Sequence, residues 1–124
     1  MIVGVGIDTC EVARINEKVT HHEGFKEKVF SPAEIAFCEA RKERAQHYAA
    51  RFAAKEAFLK ATGYGLTLGY DLADIEVTSD ELGKPRLELK GVFREKAQTH
   101  NWNKIHLSLT HIASVASAVV IIEQ

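Results

Sequence analysis

Apolar and polar positions along this chain recur with two periods, and the switches between them mark out the elements. Residues 2–8 (Ile-Val-Gly-Val-Gly-Ile-Asp) alternate as a strand does, with Val3, Val5 and Ile7 on one face and Ile2, Gly4, Gly6 and Asp8 on the other. Glycines inside a strand often mark close approach to the backbone, and here they share a face with the strand's only carboxylate. Residues 11–22 predict a helix on which Arg14, Lys18 and His21 form one basic stripe at i, i+4 and i+7. Ser31-Pro32-Ala33-Glu34 is a helix start, with a capping serine, proline in the first helical position and glutamate at the third; the helix runs toward Glu39. A longer helix follows from about residue 42 to 62 and stops at Gly63, with Gly65 close behind.

Beyond that stop the pattern is mostly that of strands. Residues 74–79 and 86–90 read as a pair joined by the turn Asp80-Glu-Leu-Gly-Lys-Pro85. Residues 91–99 predict a short helix. Residues 104–110 set Ile105, Leu107 and Leu109 against His106, Ser108 and Thr110. Residues 115–122 are more continuously apolar and are expected to be buried on both faces. The expectation is an α+β fold, one domain over residues 1–124, with a largely antiparallel sheet and a long central helix.

Composition narrows the function classes. The chain has 124 residues, 16 Lys+Arg against 17 Asp+Glu, and a net charge of −1. That balance argues against a nucleic-acid binder, which usually carries a basic excess. The longest clean apolar run, residues 118–122, is far short of the ~20 residues that span a bilayer. The start of the chain lacks the basic flank of a signal peptide. Cys10 and Cys38 form no Cys-x-x-Cys pair, which excludes a cysteine-built zinc site or a disulfide framework. A cytoplasmic protein with reduced thiols is expected, without a membrane or nucleic-acid partner.

The long helix carries the most informative segment. Tyr48, Phe52 and Leu59 mark an apolar stripe, and Glu56 falls inside it. A carboxylate facing a core needs a cation, so either Lys60 pairs with it at i,i+4 or a metal does. Asp8 can cap the turn after its strand, or join Glu56 around Mg²⁺, which takes oxygen ligands and often only one or two carboxylates. His106-Leu-Ser-Leu-Thr-His111 places His111 at a strand end, where either a structural hydrogen bond or chemistry would suit it. His21-His22 and His47-Tyr48 lack metal-ligand spacing and read as surface residues.

Taken in order, Gly6-Ile7-Asp8 with Arg14-Ile15, Arg51-Phe-Ala-Ala-Lys-Glu-Ala with Lys60 and Gly63, Gly83-Lys84-Pro85, and His106-x-Ser-Leu-Thr-His111 resemble the small, holo-acyl-carrier-protein-synthase class of 4′-phosphopantetheinyl transferases. The resemblance spans essentially the whole chain. Thr110 stands where many relatives have serine, and Ile112 where a polar residue is frequent. The resemblance implies transfer of the phosphopantetheine arm of coenzyme A to a serine of apo acyl carrier protein, in support of fatty acid biosynthesis. It implies Mg²⁺ on Asp8 and Glu56, with Lys60 as a point charge on the pyrophosphate. Arg51 and Lys55 are candidates for other phosphates. Gly83, Lys84 and Pro85 are candidates for the adenine or 3′-phosphate end, and Ser108 and His111 complete the coenzyme A candidates. Arg14 and Lys18 would face the acidic carrier protein, and a homotrimer is implied. Two other readings use the same residues: a Mg²⁺-dependent phosphohydrolase that consumes coenzyme A without a protein acceptor, and a non-catalytic module that binds acidic helical proteins through Arg14 and Lys18.

Overall fold

The structure is a computed structural model that describes residues 1–64 and 71–124. Gly65, expected just past the helix stop, lies outside the described residues. In chain order the elements are β1 (Ile2–Glu11), α1 (Val12–His21), α2 (Phe25–Val29), α3 (Pro32–Glu39), α4 (Arg44–Thr62), a 3₁₀ turn (Leu72–Asp74), β2 (Ile75–Ser79), β3 (Pro85–Leu89), α5 (Gly91–Thr99), β4 (Lys104–His111) and β5 (Val115–Glu123). The α+β expectation holds, and the strands form two antiparallel groups: a sheet ordered β1-β5-β4, and the β2–β3 hairpin.

Local chemistry explains most boundaries. Ser31 and Glu34 form both halves of the capping box at the start of α3. Gly63 ends α4 at φ 80°, a conformation a side chain resists. The turn between β2 and β3 is tied by Asp80 Oδ1, which accepts from the backbone N–H of Leu82 and of Lys84 at 2.9 Å each. The five-residue α2 and the 3₁₀ turn are too short to show a period and were not expected from the pattern.

α4 lies across the inner face of the sheet, and β1 makes room for it with glycine. A Cβ on Gly6 would overlap the carbonyl oxygen of Ala57, and one on Gly4 that of Ala61. Ala53, Ala54, Ala57, Phe58 and Val120 are buried where helix and sheet meet. A second cluster, with Ile15, Phe30, Cys38 and Tyr48, fills the space between α1, α2, α3 and the start of α4. Tyr48 is therefore core, as its place in the apolar stripe with Phe52 and Leu59 predicts, and not the surface residue that its position beside His47 suggests: its ring lies 4.9 Å from Phe30 and its hydroxyl donates to Glu39 Oε2 at 2.6 Å. A second correction concerns β5. Its residues alternate strictly between buried and half-exposed, because helices cover only one face of the sheet. The other face carries exposed Val5 and Ile7 opposite half-exposed Ile121 and Val119, while Val3 falls where the register shifts and lines a cavity with Ala61, Thr62 and Ile122.

Candidate active site

The alternation of β1 turns Asp8 to the same face as Gly4 and Gly6, toward α4. There Lys60 Nζ donates to Asp8 Oδ1 at 2.9 Å and to the carbonyl of Ile7 at 3.1 Å. Glu56, one turn earlier on α4, is half-buried. Burial pushes its carboxyl above the ordinary carboxylate range, and the charge of Asp8 adds to the push, while Lys60 and Lys18 act against it. Two carboxylates from separate elements are thus close enough to repel, and a divalent cation would relieve the repulsion. A pair of carboxylates suits Mg²⁺, which commonly completes its octahedron with water and phosphate oxygens. Among the described residues no third acidic, histidine or cysteine ligand joins them, so the donor set is oxygen only.

The other candidates are distributed around this corner. Arg14 is exposed on α1. Lys18, one turn on, is half-buried, with its ammonium 5.6 Å from the centre of the Phe25 ring, and its charge reaches Glu56. Gly83 and Lys84 are exposed in the β2–β3 turn, and Lys84, Pro85, Arg86 and His106 line a cavity of about 220 Å³. Ser108 projects from the outer face of the sheet, since its neighbour Leu109 pairs through Ala118 with Asp8 on the inner face. His111 is exposed at the end of β4; its Nδ1 lies 2.8 Å from Gln46 Oε1 and its ring 5.5 Å from that of His47.

A family model for the 4′-phosphopantetheinyl transferase superfamily matches residues 4–120. The chain belongs to that superfamily. It is 47% identical over 124 residues to the holo-[acyl-carrier-protein] synthase of Syntrophus aciditrophicus, covering 99% of this chain and 97% of that one. Among solved structures it is similar to a holo-(acyl-carrier-protein) synthase of Bacillus anthracis in complex with CoA (3′,5′-ADP), at 34% identity and a TM-score of 0.80, covering 98% of this chain and 96% of that one. The synthase of Neisseria meningitidis gives 27% identity and a TM-score of 0.89 over the whole of both chains.

Within this transferase fold, two sequence candidates sit away from the carboxylate corner. Lys55 was expected to meet a coenzyme A phosphate, but it is wholly buried on the α3 side of α4. Its three N–H groups go to Glu34 Oε1 and to the carbonyls of Leu72 and Ile75, which leaves none for a ligand. Arg51, one turn earlier on that side, is 5% exposed, with its guanidinium 4.0 Å from the centre of the Phe37 ring and its Nε without a hydrogen-bond partner among the described residues. Both are placed by burial rather than by exposure to solvent. Glu34 was legible only as a capping residue. Its partner Lys55 lies 21 residues away, so no local spacing rule could have joined them.

Proposed function

We propose that this chain transfers the 4′-phosphopantetheine group of coenzyme A to a serine of apo acyl carrier protein, releasing adenosine 3′,5′-bisphosphate. The observation that carries the reading is the corner built by Asp8, Glu56 and Lys60, in a chain that belongs to the transferase superfamily over nearly its full length. In the reaction the serine oxygen bonds to the phosphorus nearer the pantetheine. The bond from that phosphorus to the bridging oxygen breaks, and the bisphosphate leaves with the oxygen. Charge on the phosphoryl oxygens makes this a problem of position and electrostatics.

Asp8 and Glu56 would hold Mg²⁺, which when bound neutralises charge on the pyrophosphate. Lys60, more than half exposed at its side chain, can turn from Asp8 to a phosphate oxygen, and the largely buried Asp8 carboxylate would then be balanced by Mg²⁺. Lys84 and Arg86 supply cations at the hairpin cavity for the phosphate or adenine end. Lys55 is not part of this proposal, because its donors are spent. Arg14 and Lys18 would meet the acidic carrier protein close to Glu56.

The reading also places a second copy of the chain on the outer sheet face. Val5 and Ile7 are 61% and 65% exposed there, more apolar surface than a strand leaves in water without cause. A homotrimer closing on this face would bring Ser108, which a single copy turns away from Asp8, into a site shared between subunits. The setting is cytoplasmic, in keeping with two free thiols whose ionisation burial pushes up to about 11. Among the described residues no helix is long and apolar enough to cross a membrane.

Mass spectrometry of apo acyl carrier protein incubated with the chain, coenzyme A and Mg²⁺ tests the reading. A gain of one phosphopantetheine on the carrier supports it. Consumption of coenzyme A with the carrier unmodified supports the phosphohydrolase reading instead, and no turnover with carrier binding intact supports the non-catalytic module. Sedimentation velocity tests the trimer.

A further inference from the structure

One buried carboxylate that the proposed chemistry does not use stands where three elements meet. Glu34, in the first turn of α3, is 1% exposed. Its Oε1 accepts from the backbone N–H of Ser31 at 2.9 Å and from Lys55 Nζ at 2.8 Å, and its Oε2 accepts from the N–H of Val77 at 3.0 Å. Lys55 donates its other two protons to the carbonyls of Leu72 at 3.0 Å and Ile75 at 2.5 Å. Beside them Ser31 Oγ donates to Glu76 Oε2, and Lys90 Nζ lies 3.1 Å from Glu76 Oε1. Charge-assisted bonds out of water are directional and strong, and a network of them holds one arrangement.

The position of this network matters because Lys55 immediately precedes Glu56. α4 rests on one side against the backbone of β1 at Gly4 and Gly6. On the other side it is held through Lys55. A rotation of α4 about its axis would carry Glu56 away from Asp8. We propose that Glu34 is a positioning residue for the Asp8–Glu56 pair: by fixing Lys55 it fixes the rotation of α4 that turns Glu56 toward Asp8. The inference rests on the metal reading of that pair given above.

Glutamine at position 34 keeps the shape but must aim its amide NH₂ at a donor, since both carboxylate oxygens already accept. It also leaves the Lys55 ammonium without a counter-charge, which destabilises a buried site whatever its function. Stability therefore cannot decide the matter. The test compares the full chain carrying Glu34→Gln, Lys55→Met, both changes, or Glu34→Asp with Ile122→Ala, a core change in β5, each at a temperature where it is folded. Mn²⁺ affinity is read by electron paramagnetic resonance, and kcat and KM from carrier modification.

Glu34→Gln and Lys55→Met should each weaken Mn²⁺ binding and lower kcat by about 10- to 100-fold, the scale for groups that orient metal ligands. KM for the carrier should stay unchanged. The double variant should be no worse than either single one, because the two residues act as a unit. Glu34→Asp, which keeps the charge, should recover most of the loss, and Ile122→Ala should lower Tm and neither readout. Wild-type Mn²⁺ affinity and kcat in folded Glu34→Gln, or in Lys55→Met where Glu34→Gln does not fold, would overturn the proposal. So would losses that multiply in the double variant. Wild-type Mn²⁺ affinity in Asp8→Asn overturns the metal reading beneath it, an outcome that the Glu34 variants alone cannot produce.

Discussion

Lys60 reaches from α4 across to Asp8 on β1, 2.9 Å from Oδ1, and bypasses Glu56, the carboxylate one turn back on its own helix. The i,i+4 spacing would permit a Glu56–Lys60 pair, yet the ion pair that forms joins helix to strand. A lysine held at a two-carboxylate corner and still mostly in water is poised for a third, anionic group.

The first prediction follows from that exposure. Lys60→Ala should cost under about 1 kcal/mol of stability, as solvent-screened pairs do, while lowering kcat at least as strongly as it weakens coenzyme A binding. Melting curves, steady-state kinetics and a calorimetric coenzyme A titration on the same variant check it. A large drop in Tm with unchanged turnover would make Lys60 a structural residue.

Removing either carboxylate should separate stability from activity. Asp8→Asn and Glu56→Gln should each lower turnover by roughly 10²-fold or more, the scale for losing a preorganised electrostatic stabiliser. Without metal, Glu56→Gln should melt no lower than wild type, because burial and Asp8 both disfavour the Glu56 charge. Near-wild-type rates at saturating Mg²⁺ would remove these residues from the site.

Close packing of α4 on β1 makes a small change severe. Gly6→Ala sets a methyl group into the Ala57 carbonyl, part of a helix backbone that cannot yield locally. A loss at or above the usual 1–3 kcal/mol for overpacking, about 3 kcal/mol, is expected from urea unfolding. A loss below about 1 kcal/mol would mean that α4 sits farther from β1.

Acid stability should depend on Glu39. The Tyr48 hydroxyl, first, and then Arg44 hold its carboxyl below the ordinary range against the opposing effect of burial. A depressed carboxylate contributes stability above its unfolded pKa, about 4.3, and loses it as pH falls through the lower folded value. Tyr48→Phe should therefore lower stability at pH 7 and flatten its fall between about pH 5 and pH 3. Equal slopes for variant and wild type would exclude Glu39 as a contributor.

The carrier surface is tested through Arg14. Charges at a rim steer encounter and are screened by salt. Arg14→Ala should raise KM for the carrier and flatten the salt dependence of kcat/KM, with coenzyme A affinity nearly unchanged. If carrier KM and salt slope both match wild type, the carrier docks elsewhere.

Features governed by near neighbours in the chain were legible in the sequence. The alternation in β1 put Asp8 on the glycine face, Ser31 and Glu34 announced the start of α3, and Gly63 marked the end of α4. Each depends on contacts within a few residues, where spacing and propensity act directly. Asp8, Glu56 and Lys60 could be named from composition, stripe and resemblance, because carboxylates beside glycine or inside an apolar stripe stand out by type.

Partnerships were another matter. Lys55 and Arg51 carry the same charge as Lys60 in the sequence, but helix rotation turns them toward α3 and into the interior, while Lys60 faces Asp8. Glu34 gains its ammonium partner from 21 residues away, and the apolar stripe that holds Tyr48 does not say that Phe30 is what covers it. β5 reads as buried on both sides, yet one copy of the chain has helices for only one face. Periodicity determines which residues share a face, but only packing decides what that face meets, because burial and electrostatic partnership are properties of distances in space.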